Sequence, residues 1–344
     1  MRVGRGGYPR SMFRWITRVL MIFVAAATVV AVAGCARDDP RTDSSTAAST
    51  APPALHVASL KGATTMGLVG MMDDPGAYLS DVTATFDVEG TADAITPKLI
   101  SGDIDIAVIP ANLAAVLYAK TGGKIQVASV SALNVLYVVT KGVSVKSVAD
   151  LAGQTVYSMG KGTTPEAVVD TVLASQGLLG NVDVQYLSEA TEVAARLAAA
   201  ETGIAILPEP YVTVLTSKDP QISVALDLGS AFQAATGSPV VTGVTVVRTD
   251  FAEAHRDLVV KFLAGSAKSA TFANSSPDEA GKLIAAQGIT PTAEIAATAI
   301  PRCGITSITG SAAKAALTGY LEVLYSSNPA LVGGTLPDDG FYWS

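Results

Sequence analysis

From Leu55 onward, short apolar runs alternate with longer amphipathic segments, and this alternation restricts the fold more than any other feature of the chain. Short runs rich in Val, Ile and Leu are typical of buried strands, and apolar residues spaced three or four apart are typical of helices. Strands that alternate with helices favour parallel sheets with helices on both faces. The expected fold class is therefore α/β, with each sheet mainly parallel.

The predicted elements follow directly from these runs. Strands are predicted over residues 55–60, 82–88, 104–109, 125–130, 133–140, 155–158, 182–186, 204–207, 222–226 and 240–247. Helices are predicted over residues 64–72, 92–101, 112–120, 165–176, 189–200 and 210–216, and the chain after Asp250 is helical over 251–274, 277–287, 292–299 and 311–325.

The length of the chain indicates two lobes. Its 344 residues are too many for one compact core of ordinary size. The order of the elements predicts a first lobe made of residues 55–140 plus 241–344 and a second lobe made of residues 141–240. The apolar runs 133–140 and 240–247 would then be two crossover strands that act as a hinge.

The composition excludes several classes of function. With 49% hydrophobic and 15% charged residues, the chain is not a disordered protein. Its 23 basic and 30 acidic residues leave a net charge of -7, and such a surface would repel a phosphate backbone. We therefore expect no nucleic-acid partner. Two cysteines cannot make a disulfide framework and two histidines are too few for a His-based metal site, and no metal or cofactor is expected.

The first residues predict export. Basic residues up to Arg18 precede an uncharged apolar stretch over residues 19–33, which is typical of a secretory signal peptide covering residues 1–34. A membrane-spanning helix, which needs about 20 apolar residues, is the alternative. The tetrapeptide Val32-Ala33-Gly34-Cys35 looks like a lipobox, in which the cysteine thiol receives a diacylglyceryl group.

The segment behind Cys35 predicts a spacer. Residues 35–54 are rich in Thr, Ser, Ala and Pro and cannot bury a core, so they are expected to form a flexible tether. The protein is thus expected to be extracytoplasmic, anchored to the outer face of the cytoplasmic membrane by a lipid on Cys35. Cys303 is then left without a partner as a buried thiol, and no disulfide is predicted.

Candidate ligand-binding residues follow the predicted strands. In open α/β sheets ligands bind beyond the carboxyl ends of strands, where helix N-termini present free N–H groups. Gly62, Thr64 and Thr65 follow the first strand, next to Lys61, and Asn112 follows the third. Asn112, like Thr163 and Thr164 of a later loop, could also simply cap its helix. Because the loops occupy equivalent positions in successive βα units, together they predict a site.

The second lobe offers the opposing half of this site. Lys161, Thr163 and Thr164 lie in a Gly-rich loop that opens a helix, where Thr163 could also form a capping box with Glu166. The prolines on both sides of Glu209 could aim its carboxylate into the crevice, although a solvated turn is equally compatible.

Three further features bear on the ligand and on catalysis. Ser131 and Asn134 are weaker candidates of the same kind. No Gly-x-Ser-x-Gly elbow or other catalytic set is found, so no catalytic residue is assigned and an enzyme is not expected. The cleft loops contain no arginine, and Glu209 favours a neutral or amine-bearing solute.

Several motifs resemble one family of binding proteins. They are Gly-Asp-Ile-Asp-Ile-Ala at 102–107, Pro-Ala-Asn-Leu-Ala at 110–114, Asp-Leu-Ala-Gly-Gln at 150–154, Gly-Lys-Gly-Thr-Thr-Pro-Glu at 160–166, Leu-Pro-Glu-Pro at 207–210 and the lipobox at Cys35. Together they resemble the lipoprotein substrate-binding subunits of ABC importers of the nitrate/sulfonate/taurine type, which include binders of thiamine-pyrimidine precursors. The resemblance covers nearly the whole chain.

The resemblance implies a two-lobed type II periplasmic-binding-protein fold. Such a protein would be a monomer that closes on a small-molecule solute and docks onto ABC permease subunits. Two alternatives stay open: a lipoprotein sensor or assembly factor that uses the same fold without an importer, and an enzyme of this fold. A lipobox argues against the cytosolic enzymes that share it.

Overall fold

The computed structural model of the protein describes residues 54–344, which lie in a compact unit formed by residues 51–344. The predicted signal peptide and Cys35 lie outside the described residues, as does the predicted tether up to residue 53. Ala54, the last residue of the predicted tether, instead begins the first strand. Within residues 54–344 no helix is both long enough and apolar enough to cross a lipid bilayer.

The strands form two sheets. They are β1 (Ala54–Leu60), β2 (Thr83–Glu89), β3 (Ile106–Pro110), β4 (Ile125–Ala132), β5 (Leu136–Lys141), β6 (Thr155–Met159), β7 (Asp183–Leu187), β8 (Gly203–Pro208), β9 (Ile222–Asp227), β10 (Gly243–Arg248) and β11 (Ile305–Ile308). Across residues 54–344 the first sheet has the order β11-β4-β10-β3-β1-β2, and the second has the order β7-β6-β8-β5-β9. The predicted alternation of strands and helices is confirmed.

Both sheets are mixed, which corrects the expectation that each is mainly parallel. β1 pairs in parallel with β2 and β3, but β10 runs antiparallel to β3 and β4. In the second sheet β6 is parallel to β7 and β8, whereas β5 is antiparallel to β8 and β9. β5 and β10 bring the chain from one sheet into the other. A strand that arrives in this way enters at the edge where the parallel strands end, so it runs against them.

The helices lie between the strands and after β10. They are α1 (Ala63–Met66), α2 (Val69–Asp73), α3 (Pro75–Leu79), α4 (Ala92–Ser101), α5 (Ala111–Thr121), α6 (Thr164–Ser175), α7 (Ala190–Ala199), α8 (Tyr211–Lys218), α9 (Leu228–Thr236), α10 (Thr249–Ala254), α11 (Arg256–Ser275), α12 (Pro277–Ala286), α13 (Ala293–Ala299) and α14 (Gly310–Ser327). Short 3-10 turns cover Val148–Leu151, Ile300–Arg302, Pro329–Val332 and Asp339–Phe341.

Two predicted helices are interrupted. The helix predicted over 64–72 is divided into α1 and α2, and the one predicted over 251–274 is divided into α10 and α11 at His255, whose φ of -135° is not helical. α3, α9 and β11 were not predicted. Asp227 begins α9 by accepting hydrogen bonds from the N–H groups of Gly229 and Ser230, a capping arrangement that stabilises a helix start.

A continuous cluster of buried side chains runs through both sheets. It joins Ile109 of the first sheet to Val138 and Ile206 of the second, and it includes Phe232 of α9 and Tyr320 of α14. A separate cluster on the opposite face of the second sheet gathers side chains of α7 and α8. The second sheet is therefore covered by α6 and α9 on one face and by α7 and α8 on the other.

Candidate ligand-binding cleft

The carboxyl ends of strands from both sheets meet at one cleft of about 1160 Å³. Leu60 and Pro110, the last residues of β1 and β3, line it from the first sheet, and Met159 and Pro208, the last residues of β6 and β8, line it from the second. Residues 240–242, which lead into β10, also contribute. The cleft thus occupies the position at which open α/β sheets bind ligands.

Several residues that follow strands of the first sheet line the cleft, and three of them belong to the predicted site. Lys61, Gly62, Thr64 and Asn112 all face it. Gly62 has a φ of 135°, and an added Cβ would meet nothing within 4 Å, so conformation rather than crowding favours glycine here. The Thr64 hydroxyl donates a hydrogen bond to the Leu60 carbonyl.

Two other predicted residues of this half do not line the cleft. Thr65 is fully buried, and its hydroxyl donates hydrogen bonds to Ser59 Oγ at 2.8 Å and to the Leu60 carbonyl at 2.7 Å. Ser131 lies on β4, and its buried hydroxyl makes no hydrogen bond with any residue from 54 to 344. Thr65 therefore stabilises the loop after β1 through hydrogen bonds to the end of that strand.

Asn134 also lies away from the lining and makes contacts of its own. Its amide donates to the Leu136 carbonyl at 3.2 Å and to Asp227 Oδ1 at 2.7 Å, and its Oδ1 accepts from the Leu136 N–H at 3.0 Å. These bonds tie the entry of β5 to the end of β9. The side chain therefore holds the crossover into the second sheet.

The Gly-rich loop before α6 places one of its three candidates in the cleft. Thr164, the first residue of α6, lines it, whereas Lys161 and Thr163 do not. The Thr163 hydroxyl donates to the Gly160 carbonyl, and Glu166 accepts the N–H of Gly162 at 2.6 Å. The capping box suggested by Thr163 and Glu166 is therefore not formed, because both side chains are bonded within the loop.

Glu209 lines the cleft, but its carboxylate is already bonded. Arg302 Nε donates to Glu209 Oε1 at 2.6 Å. Thr213 donates its backbone N–H to Oε2 at 3.1 Å and its hydroxyl to Oε1 at 2.9 Å. The Glu209 side chain is 0% exposed. The predicted preference for an amine-bearing solute assumes that the Glu209 carboxylate is free. Arg302, which the sequence analysis did not identify, already binds this carboxylate.

The net charge that the cleft presents is positive. Among the described residues, the charged side chains that line it are Lys61, Lys218 and Glu209. Arg302, which is not a lining residue, neutralises Glu209 through an ion pair. No group of three or more His, Cys, Asp or Glu side chains within residues 54–344 could hold a metal ion. An uncharged or anionic solute is electrostatically compatible with this lining.

Much of the wall comes from segments that no motif indicated. α7 contributes Thr191, Ala194, Ala195 and Ala198, and α8 contributes Tyr211, Val214, Leu215 and Lys218. The loop between α12 and α13 contributes residues 288–291, and α14 contributes Tyr320. The α7 residues follow helical spacing, but small apolar residues at that spacing are also typical of ordinary helix packing. The sequence therefore gives no signal that separates a cleft-lining helix face from a packed one.

Known structures with this architecture are numerous, and three illustrate the similarity. A crystal structure of an ABC transporter from Parabacteroides distasonis is 26% identical, with a TM-score of 0.74 over 85% of this chain and 99% of that chain. The periplasmic aliphatic sulphonate binding protein SsuA from Escherichia coli is 18% identical, with a TM-score of 0.69 over 85% of this chain and 92% of that chain. The alkanesulfonate-binding protein SsuA from Xanthomonas axonopodis pv. citri, bound to MOPS, is 16% identical. Its TM-score is 0.59 over 83% of this chain and 95% of that chain.

The sequence itself matches one family. A search among curated proteins finds no match. A family profile described as NMT1/THI5 like matches residues 88–280, which is more than half of the chain and includes β3 to β10. The fold is that of the periplasmic binding proteins, as the structural similarities show. The chain belongs to the NMT1/THI5-like family.

Proposed function

We propose that the protein is an extracytoplasmic solute receptor that is anchored to the membrane by a lipid on Cys35 and delivers its solute to an ABC permease. The observation that carries this proposal is the cleft, to which the strand ends of both sheets contribute. Family membership and the fold support it, since the similar structures include sulfonate-binding proteins and an ABC transporter. Within the proposal the protein binds its solute without transforming it.

The proposed mechanism is closure of two lobes on the solute. Residues 55–140 and 241–344 would move against residues 141–240, with the crossovers into β5 and β10 as the hinge. A solute that touches both lobes stabilises the closed form through its greater affinity for that form. The permease would then recognise the closed form.

Ligand-induced stabilisation tests the receptor function. Residues 51–344, which form a compact unit, should be screened for thermal stabilisation by sulfonates, nitrate, taurine and pyrimidines. A ligand at 100 times its Kd should stabilise the folded state by about 2.7 kcal/mol. Ala195→Trp should abolish the effect, because Ala195 is an exposed lining residue of α7. Ala199→Trp is the matched control, since Ala199 is exposed on α7 outside the lining.

Two outcomes would contradict the proposal. Stabilisation that persists in Ala195→Trp would place the ligand elsewhere, and the absence of any stabilising ligand would argue against a receptor. The anchor is tested separately by expressing the full chain and its Cys35→Ser variant in a bacterium. The wild-type protein should sediment with membranes and carry a lipid on Cys35 by mass spectrometry, whereas the variant should not.

A further inference from the structure

The cleft continues along two helices beyond the strand ends. α7 and α8 cover the same face of the second sheet, and the cleft follows them over residues 191–198 and 211–218. Each run is about 10 Å long at 1.5 Å per residue. Lys141 joins the last turns of the two helices, because its Nζ donates to the Ala198 carbonyl at 2.8 Å and pairs with Asp219 Oδ2 at 2.9 Å. The cleft therefore has an elongated arm that runs from the carboxyl edge of the sheet to these last turns.

The walls of this arm are apolar. Val214 and Leu215 of α8 line it together with the alanines of α7. Ile289 and Pro291, in the loop between α12 and α13, add apolar lining from the other predicted lobe, and α13 packs against α8. Tyr211 begins α8 and keeps 37% of its surface exposed where it lines the cleft. An aromatic surface left open in a cleft is a surface that a ligand can cover.

Most polar side chains of the lining are not free to bind a solute. Four are bonded within the protein, and the hydroxyls of two others are inaccessible to solvent. The bonded ones are Thr64, Thr191, Glu209 and Thr290, and the inaccessible ones are Thr164 and Tyr320. Besides the Tyr211 hydroxyl and two lysines, Asn112 and Thr242 remain among the described lining residues. These two adjoin, because the Ala111 N–H donates to the Thr242 carbonyl at 3.3 Å. The uncharged polar surface is thus confined to a small part of the cleft.

The charges of the lining exclude a cation. Among the described residues its one acidic side chain, Glu209, is neutralised by Arg302, whereas Lys61 and Lys218 are positive. Lys218 lies in the last turn of α8, and Lys61 Nζ lies 3.5 Å from the position of a Cβ added to Gly288. The two lysines thus lie on separate elements of the wall. A positively charged solute would be repelled by both and would find no free carboxylate.

The size of the cleft favours a solute of many atoms. Its volume of about 1160 Å³ exceeds the range of about 300–1,000 Å³ in which drug-sized ligands bind. Nitrate or taurine would leave most of the apolar wall in contact with water. Since burial of apolar surface contributes about 25 cal/mol per Å², affinity here should rise with the apolar area that the solute covers.

We propose that the solute is a mainly apolar molecule without positive charge, whose elongated or aromatic body lies in the arm along α7 and α8 and packs against the ring of Tyr211. This inference rests on the proposed receptor function. It makes apolar surface, rather than recognition of a charged head group, the main determinant of affinity.

An uncharged fluorophore and a series of alcohols test the inference. Residues 51–344 are titrated with N-phenyl-1-naphthylamine, which should bind at one saturable site with enhanced fluorescence. Straight-chain alcohols from butanol to octanol should displace it, and each added methylene should lower their Kd about fourfold, which corresponds to about 0.8 kcal/mol. Octylammonium should compete less well than octanol, and nitrate and taurine should not compete at the same concentration.

Variants with matched controls locate the site. Ala195→Asp puts a charge into the arm and should weaken the fluorophore about tenfold or more. Ala199→Asp is the control, since Ala199 is exposed on the same helix outside the lining, and it should bind as the wild type does. Tyr211→Ser should weaken the fluorophore about two- to tenfold, the range for one aromatic contact. Tyr211→Phe should leave it unchanged, because the ring and not the hydroxyl makes this contact.

The results distinguish the inference from the function on which it rests. Equal effects of the two aspartate substitutions, unchanged binding in Tyr211→Ser, an equal loss in Tyr211→Phe, a Kd that does not change with chain length, or tighter binding of octylammonium than of octanol would overturn the inference. So would failure of every apolar probe while a small polar solute stabilises the protein, and the receptor function would then stand. If neither these probes nor the wider panel binds, the receptor function itself fails.

Discussion

Replacing Arg302 by methionine should destabilise the protein strongly, because it leaves the Glu209 carboxylate buried without a cation. Methionine keeps much of the length of the side chain but none of its charge. The Glu209 side chain is 0% exposed and would retain only the two hydrogen bonds from Thr213. Breaking a buried ion pair by removing one partner costs about 3–5 kcal/mol. Because the Arg302 side chain is 32% exposed, water can reach this site in part, and we expect the lower end, about 3 kcal/mol.

The reverse substitution should cost less. In Glu209→Gln the amide oxygen can still accept a hydrogen bond from Thr213, and the guanidinium of Arg302 stays partly hydrated. We expect a loss of about 1 kcal/mol, the usual value of one hydrogen bond. Adding Glu209→Gln to Arg302→Met removes the uncompensated charge. The double variant should therefore be more stable than Arg302→Met alone.

Thermal and urea unfolding of residues 51–344 provide the measurement. A loss of about 3 kcal/mol should lower the Tm by roughly 6 °C at about 2 °C per kcal/mol, the lower end of the range for large domains. Lys314→Met is the control, since it removes an ion pair with Asp339 whose side chains are 45% and 92% exposed, and such pairs contribute less than about 1 kcal/mol. A loss in Arg302→Met no greater than in Lys314→Met, or a double variant less stable than Arg302→Met, would refute the role of the buried charge.

Three further predictions concern acid stability, thiol reactivity and helix packing. A hydrogen bond from Lys141 lowers the pKa of Asp219, so its contribution to stability is present above the unfolded pKa of about 3.9 and is lost as the pH falls below it. The urea midpoint of the wild type should thus fall more between pH 4 and pH 2 than that of Asp219→Asn, and equal falls would contradict this. Cys303 is fully buried and burial raises the pKa of its thiol, so in residues 51–344 it should react with a thiol reagent only after unfolding; native labelling would contradict this. Gly281→Ala should destabilise the protein by about 1–3 kcal/mol in urea, because the new Cβ would lie 2.5 Å from the Ala293 carbonyl, and an unchanged midpoint would show that α12 and α13 can separate freely.

The sequence predicted the strands well because their signal is local. Runs of β-branched and apolar residues occur wherever a strand is buried, and β1 and β8 differ from their predicted bounds by at most one residue at each end. β11 was missed because its four residues, Ile305–Ile308, follow a short turn and include two polar side chains. The pairing direction of β5 and β10 could not be read from local pattern, since it depends on which sheet the chain has just left.

The candidate site was predictable only where residues follow strands directly. Gly62, Asn112 and Thr164 line the cleft because the end of a βα strand fixes the position of the next few residues. Thr163 precedes Thr164 by one position, yet its hydroxyl bonds back to the Gly160 carbonyl. Which of two adjacent threonines lines the cleft depends on φ and ψ within the loop. Tyr320 gave no signal, because a tyrosine on the apolar face of a helix is equally typical of a core residue.

The state of Glu209 limits what the cleft can bind. An amine-bearing solute that used this carboxylate would have to displace Arg302, which donates to Glu209 and, through Nη2, to Thr213 Oγ1 at 2.7 Å. Hydrogen bonds to charged groups contribute about 1.5–3 kcal/mol each, so the solute would have to offset several kcal/mol before it gained affinity. Glu209 is therefore better placed to fix the start of α8 against the turn that carries Arg302. Recognition of the solute then depends on lining residues other than Glu209, whose carboxylate the sequence made prominent.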